Sequence, residues 1–126
     1  MRFLVVDDSS TMRRIIVNTL GRIGYPDCLE AGNGREGLEK LAGGAVDVVI
    51  TDWNMPEMNG LDFVRAIRAN AATRTLPVLM VTTNAAQDDI VEALKAGVTN
   101  YVVKPFTPDV IKEKIQAVAG RQPAGV

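Results

Sequence analysis

Histidine is absent from the 126 residues and cysteine occurs once. Without an imidazole the chain cannot build a Ser-His or Cys-His nucleophilic pair, a histidine-ligated zinc site, or a general base of unperturbed pKa near neutrality. Nor can it carry a phosphohistidine. The single thiol, Cys28, has no internal partner for a disulfide, which suits a reducing compartment, and it reads as a small, half-buried strand residue. An excess of either charge is also missing: 14 basic and 15 acidic residues leave a net charge of −1. They are scattered, so no basic face is offered to nucleic acid or to an anionic membrane surface. No apolar run approaches the roughly 20 residues a membrane span needs, and the opening MRFLVVDD meets two acids after six residues. No export signal is read there, and a cytoplasmic location is expected. No glycine-rich loop ends in Gly-Lys-Ser/Thr, so direct use of ATP is not expected. Whatever chemistry the chain performs must run on carboxylates, hydroxyls and amines.

The composition is globular, with 47% apolar and 23% charged residues. The length suits one domain, expected over residues 1–120, followed by a flexible tail at 121–126. A monomer is the default expectation. Short β-branched runs, RFLVV (2–6), DCLEA (27–31), VDVVIT (46–51), LPVLMVT (76–82) and NYVVK (100–104), read as strands. Stretches of helical period alternate with them. Met12, Ile15, Ile16, Leu20 and Ile23 mark the first helix, with Ser9 or Ser10 as N-cap. Leu38 and Leu41 mark the second, Leu61, Val64 and Ile67 the third, and Ile90, Val91 and Leu94 the fourth. The fifth follows Thr107-Pro108-Asp109, a capping hydroxyl, a first-turn proline and a first-turn acid, and carries Val110, Ile111, Ile115 and Val118; Gly120 is expected to end it. Strict alternation with nearly continuous apolar strands predicts an α/β fold, a doubly wound five-stranded parallel sheet covered by helices on both faces. The flavodoxin-like strand order is taken by analogy.

In such sheets the functional crevice lies beyond the carboxyl ends of the strands. There the sequence places Asp7-Asp8 after the first strand, Asp52 after the third, Thr82-Thr83 after the fourth and Lys104-Pro105 after the fifth. Each alone suits a turn. Together, three carboxylates at one edge repel: two unit charges about 4 Å apart at an effective dielectric near 20 oppose each other by about 4 kcal/mol. Such a cluster calls for a cation, and Mg²⁺ suits carboxylates combined with phosphate. Lys104 adds positive charge. A carboxylate can then serve as a phosphoryl acceptor, and Asp52, at the end of the central apolar run, is placed for it. Asn54-Met-Pro56 turns the chain away and leaves a backbone carbonyl to face the metal, while Thr82 offers a hydroxyl to a phosphoryl oxygen.

The segments VVDDSSTMRR, VVITDWNMPEMNG, LPVLMVTT and NYVVKPFT closely resemble the receiver domains of bacterial two-component response regulators, and the likeness spans essentially the whole chain. DWNMP, STMRR and YVVKPFT are most similar to the CheY-like, single-domain chemotaxis group. The resemblance implies that Asp52 is the phosphoacceptor, Asp8 a direct Mg²⁺ ligand, and Asp7 an acid acting mainly through metal-bound water. It gives the Asn54 main-chain carbonyl to the metal, and Thr82 and Lys104 to the phosphoryl oxygens. Tyr101 would turn inward when Thr82 moves toward the phosphate, and Lys104-Pro105 would be a cis peptide. A histidine kinase of CheA type would be the phosphodonor. With no output domain expected after the fifth helix, the output would be a surface on the fourth helix, fifth strand and fifth helix, including Ile90, Tyr101 and Val103. A flagellar motor switch protein or another protein target would read it, and a dedicated phosphatase could reset it. Enzymatic activity would be limited to self-catalysed phosphotransfer and autodephosphorylation.

Ser9, Asn84 and Ala86-Gln87 depart from the chemotaxis pattern, where phenylalanine, glutamate and a lysine pair are frequent. They bear on the lifetime of the phosphorylated state and on the partner, leaving a non-flagellar chemosensory pathway open. Three other readings compete. Gly32-Asn-Gly34-Arg-Glu-Gly37 imitates a dinucleotide fingerprint, but it follows the second strand and is read as a loop leading into a helix. A Mg²⁺-dependent phosphatase with an aspartyl intermediate also wants strand-end acids, a threonine and a lysine, though usually with D-x-D after the first strand. A degenerate receiver used purely for binding is the third.

Overall fold

Strands and helices alternate through residues 1–84 and 86–119, the part of the chain that the computed structural model describes. In order they are β1 (Phe3–Val6), α1 (Ser10–Arg22), β2 (Cys28–Ala31), α2 (Gly34–Ala42), β3 (Val48–Asp52), α3 (Gly60–Ala69), β4 (Val78–Thr82), α4 (Gln87–Ala96), β5 (Asn100–Val103) and α5 (Pro108–Ala119). The expected tail at 121–126 and the expected stop at Gly120 lie outside the described residues. All strand pairs are parallel, in one sheet of order β2-β1-β3-β4-β5. This is the expected flavodoxin-like order. Strand order reverses between β1 and β3, so the crevice opens beyond Val6 and Asp52.

Both faces of every central strand are apolar because both are covered. Phe3, Val5, Val48, Ile50, Leu79 and Val81 face α1 and α5, where Ile16, Leu20, Ile111 and Ile115 are buried. Leu4, Val6, Val49, Val78 and Met80 face α2, α3 and α4, against Phe63, Val64 and Ile67. Each fully buried side chain of this size stabilises the fold by about 1.5–3 kcal/mol. Caps begin the helices where the sequence offers them. Ser9 Oγ accepts from Met12 N at 3.2 Å, Asn33 Oδ1 from Glu36 N at 2.9 Å, Asn59 Oδ1 from Asp62 N at 2.9 Å and Thr107 Oγ1 from Val110 N at 3.2 Å. Each such bond supplies about 1 kcal/mol.

β1 to β4 start one or two residues later than their expected runs, and β5 starts at Asn100 as expected. The third strand also runs one residue further than expected, so that Asp52 itself pairs with Val81. Three helical stripes differ from expectation. Ile15 is 44% exposed and Val110 41% exposed, each one residue outside the arc that meets the sheet. On α4 the discrepancy is larger: Val91 and Leu94 face solvent and Ala93 is the buried residue. Ala93 joins the core cluster on that side of the sheet. Arg68 of α3 anchors the far end of α4, its Nε and Nη2 donating to Gly97 O at 3.0 and 2.8 Å and its Nη1 to Leu76 O at 2.6 Å. Burial lowers its pKa.

Two of the three glycines of the 32–37 segment are used for packing. A Cβ on Gly34 would meet the Met58 side chain, and one on Gly37 would reach 2.8 Å from the Phe63 ring. Close approach of α2 to the segment 58–63 thus accounts for Gly34 and Gly37 without a nucleotide.

Candidate functional site

The three strand-end acids converge. Asp7, Asp8 and Asp52 each offer a carboxylate oxygen, and these atoms lie within 4.8 Å of one another. Asp7 and Asp52 are buried and Asp8 is exposed, so the cluster forms a floor with one wall at the solvent edge. Adjacent residues leaving a strand diverge, which is why Asp7 and Asp8 differ in burial.

Lys104 lies between the two buried acids, its Nζ 3.6 Å from Asp7 Oδ2 and 3.3 Å from Asp52 Oδ1. Its backbone is fixed by the bond from Lys104 N to Thr82 O at 2.7 Å, and the following peptide to Pro105 is cis. Asp52 Oδ1 also accepts from Trp53 N at 2.8 Å. The carboxylate is therefore held at one oxygen, while Oδ2 makes no hydrogen bond among the described residues. Asp7 is held at Oδ1 by Ser9 N at 2.9 Å, and its buried Oδ2 has no hydrogen-bond partner among the described residues. Burial pushes the Asp7 carboxyl above its ordinary pKa. The Ser9 bond opposes that shift, the Asp52 charge adds to it, Lys104 opposes it and Asp8 adds to it.

Lys104 is the one cation beside this oxygen, at 3.6 Å without a hydrogen bond among the described residues, and a single lysine leaves three clustered carboxylates with excess negative charge, a cost unless a further cation meets them. Three oxygen donors, one on the solvent side, fit a hard divalent ion that keeps some of its waters. Thr82 is 2% exposed. Its Oγ1 accepts from Asn84 N at 2.9 Å, leaving its own proton without a protein acceptor among the described residues. Asn54 is exposed, two residues past Asp52, at the rim of the crevice.

Tyr101 is half-buried against the α2/α3/α4 face of the sheet, with Lys114 Nζ 5.7 Å from its ring centroid. Ile90 and Val103 are also half-buried. On α4, next to Ile90 in sequence, Val91 and Leu94 are exposed, although their spacing had assigned them to the buried face.

Sequence reasoning missed the supports of the site. Trp53 N and Ser9 N act through the backbone, which no side-chain pattern reveals. Gly60 is hidden for another reason: its N donates to Trp53 O at 2.7 Å, and a Cβ there would overlap the Asp52 carbonyl. The glycine after Asn59 could have been read as a close approach only once α3 was known to start against β3.

Residues 3–116 match the family model described as the response regulator receiver domain. The chain is 58% identical over 121 residues, 95% of its length and 98% of the relative's, to chemotaxis protein CheY1 of Helicobacter pylori. The solved structure of chemotaxis protein CheY4 of Vibrio cholerae superposes with a TM-score of 0.87 at 38% identity, covering 93% of this chain and 97% of that one. The receiver domain of a Pseudomonas aeruginosa sensor histidine kinase, described with a magnesium ion coordinated in its active-site cleft, superposes with a TM-score of 0.85 at 27% identity, covering 94% of this chain and 97% of that one.

Proposed function

The chain belongs to the response regulator receiver domain family, and from that premise we propose that it is a chemotaxis-type response regulator, phosphorylated on Asp52 by a histidine kinase of CheA type. The observation that carries the reading is the position of Lys104, shared between Asp7 and Asp52 within a cluster of three carboxylates.

In the proposed reaction, Asp52 Oδ2 attacks the phosphorus of a kinase phosphohistidine. A P–O bond forms as the P–N bond breaks, and the electron pair returns to the imidazole. Asp52 is suited to the attack because its backbone is locked in the ladder with Val81 and its Oδ1 is tied by Trp53 N and Lys104. Lys104 and the free proton of Thr82 then meet phosphoryl oxygens. Asp7, Asp8, Asp52 and the Asn54 carbonyl would hold Mg²⁺, which when bound neutralises the carboxylates and draws charge from the phosphoryl group. A small acyl phosphate would serve as donor in the same way, since every catalytic group is within this chain.

Output follows from the same geometry. When Thr82 is drawn to the phosphate, Tyr101 turns inward, and the surface of Ile90, Tyr101 and Val103 with its apolar neighbours Val91 and Leu94 changes shape. A partner shifts that equilibrium by its differential affinity. The partner would be the flagellar motor switch protein or an equivalent target, in the cytoplasm, with a dedicated phosphatase resetting the signal. Among the described residues no helix is long and apolar enough to cross a membrane.

The test is phosphorylation by acetyl phosphate with and without Mg²⁺, in wild type and Asp52→Asn. One labile phosphate per chain, lost in the variant and in chelator, supports the reading. Steady release of inorganic phosphate at an enzyme's rate would favour the phosphatase alternative instead.

A further inference from the structure

Arg13, in the second turn of α1, has no role in the account above. Its Nη1 donates to the main-chain carbonyl of Asp7 at 2.6 Å, and its Nε pairs with Glu30 Oε1 at 3.3 Å. Asp7 N donates to Ala31 O at 3.1 Å. Both main-chain polar atoms of Asp7 are therefore fastened to the end of β2, one directly at Ala31 and the other through Arg13 at the preceding residue. The next turn of the chain is fastened too, with Gly32 N donating to Glu36 Oε2 at 3.1 Å. Arg13 spends its guanidinium on a neutral carbonyl beside the crevice, although three carboxylates lie on the other side of that residue.

Resting on the receiver reading, we propose that Arg13 is a positioning residue for the cation site: it fixes the orientation of the Asp7-Asp8 peptide and so aims both carboxylates into the crevice. The carbonyl of Asp7 and the carboxylates of Asp7 and Asp8 share one stretch of backbone. A rotation of that peptide would carry the oxygens apart, and the Arg13 bond opposes it. Hydrogen bonds that orient metal ligands from outside the coordination sphere have this effect generally.

Charge and position predict opposite signs. Arg13 is a cation near a cation site, so on electrostatics alone its removal would tighten Mg²⁺ binding. If its role is positioning, removal weakens it. The measurement is Mg²⁺ titration of the full chain, read by fluorescence of Trp53, the single tryptophan, which follows Asp52 and whose backbone N–H donates to Asp52 Oδ1. Urea unfolding in chelator runs alongside. Arg13→Gln is expected to raise the Mg²⁺ dissociation constant about tenfold. Arg13→Lys keeps the charge but cannot span the Asp7 carbonyl and Glu30 with a planar fork, so it too should weaken binding, by a smaller factor. That second variant settles the question if Arg13→Gln fails to fold. Unchanged or tighter Mg²⁺ binding in Arg13→Lys, or tighter binding in Arg13→Gln, overturns the inference. A wild-type chain that does not bind Mg²⁺ overturns the receiver reading itself.

Discussion

Replacing Asp7 by asparagine removes one charge from the cluster while keeping the side chain's size and the oxygen that accepts from Ser9 N. In the metal-free protein Asp7 faces Asp52 and Asp8 within 4.8 Å, and each such pair opposes ionisation by about 3 kcal/mol at an effective dielectric near 20. Lys104, 3.6 Å away, returns about 5 kcal/mol on the same scale, and Asp8, being exposed, is screened further. With the desolvation of a 1% exposed carboxylate added, a net cost of about 1–2 kcal/mol remains. Asp7→Asn should therefore stabilise the metal-free fold by about that amount, a rise in Tm of roughly 4–8 °C. Lys104 keeps its partner in Asp52.

The dependence on pH follows from the raised pKa of Asp7. A carboxyl whose folded pKa lies above its unfolded one favours the fold below the unfolded value, and that contribution is lost as pH rises through the folded value. The gap between variant and wild type should thus close on acidification toward the ordinary carboxylate range and open toward neutrality. Mg²⁺ should reverse the order, since at hundredfold excess over its dissociation constant it adds about 2.7 kcal/mol to wild type and little to the variant. Urea denaturation followed by far-UV circular dichroism, in chelator and in Mg²⁺, measures all of this. A variant less stable than wild type in chelator, or one equally stabilised by Mg²⁺, would refute the reasoning.

Three further outcomes are expected. Glu57 holds a positive φ of 66°, so Glu57→Gly should raise stability by about 0.5–1 kcal/mol in the same urea assay; a loss would mean that the turn is unstrained. Gly60→Ala would drive a Cβ into the Asp52 carbonyl and Trp53 Cα, and should cost about 3 kcal/mol or more; crucially, the phosphorylation rate of whatever still folds should fall with it. Leu94→Ser on the exposed face of α4 should change stability by less than about 0.5 kcal/mol, whereas Ile67→Ala in the buried face of α3 should cost about 2–5 kcal/mol; equal losses would place Leu94 in the core.

The sheet was legible because β-branched runs and helical spacing switch at every boundary, and the strand-end acids were legible because topology alone brings them to one edge. Asp7, Asp8 and Asp52 therefore met as their positions in sequence implied. Legibility stopped where burial depends on what an element packs against. Val91 and Leu94 have core character by type and spacing, yet Ala93 is the residue of α4 that is buried. Ile15 and Val110 misled for the milder reason that a stripe of apolar residues was wider than the face the sheet covers. Backbone donors and the Arg13 bond to a carbonyl leave no mark in residue type, so the supports of the site came from coordinates alone.

The most direct test of the central claim is to load the protein with acetyl phosphate and Mg²⁺, reduce it with borohydride, and sequence the product by mass spectrometry. An acyl phosphate is reduced to an alcohol, so the account predicts homoserine at Asp52 in the presence of Mg²⁺ and unmodified aspartate in chelator. Homoserine at Asp7 or Asp8, or the same yield at Asp52 without the metal, would contradict it.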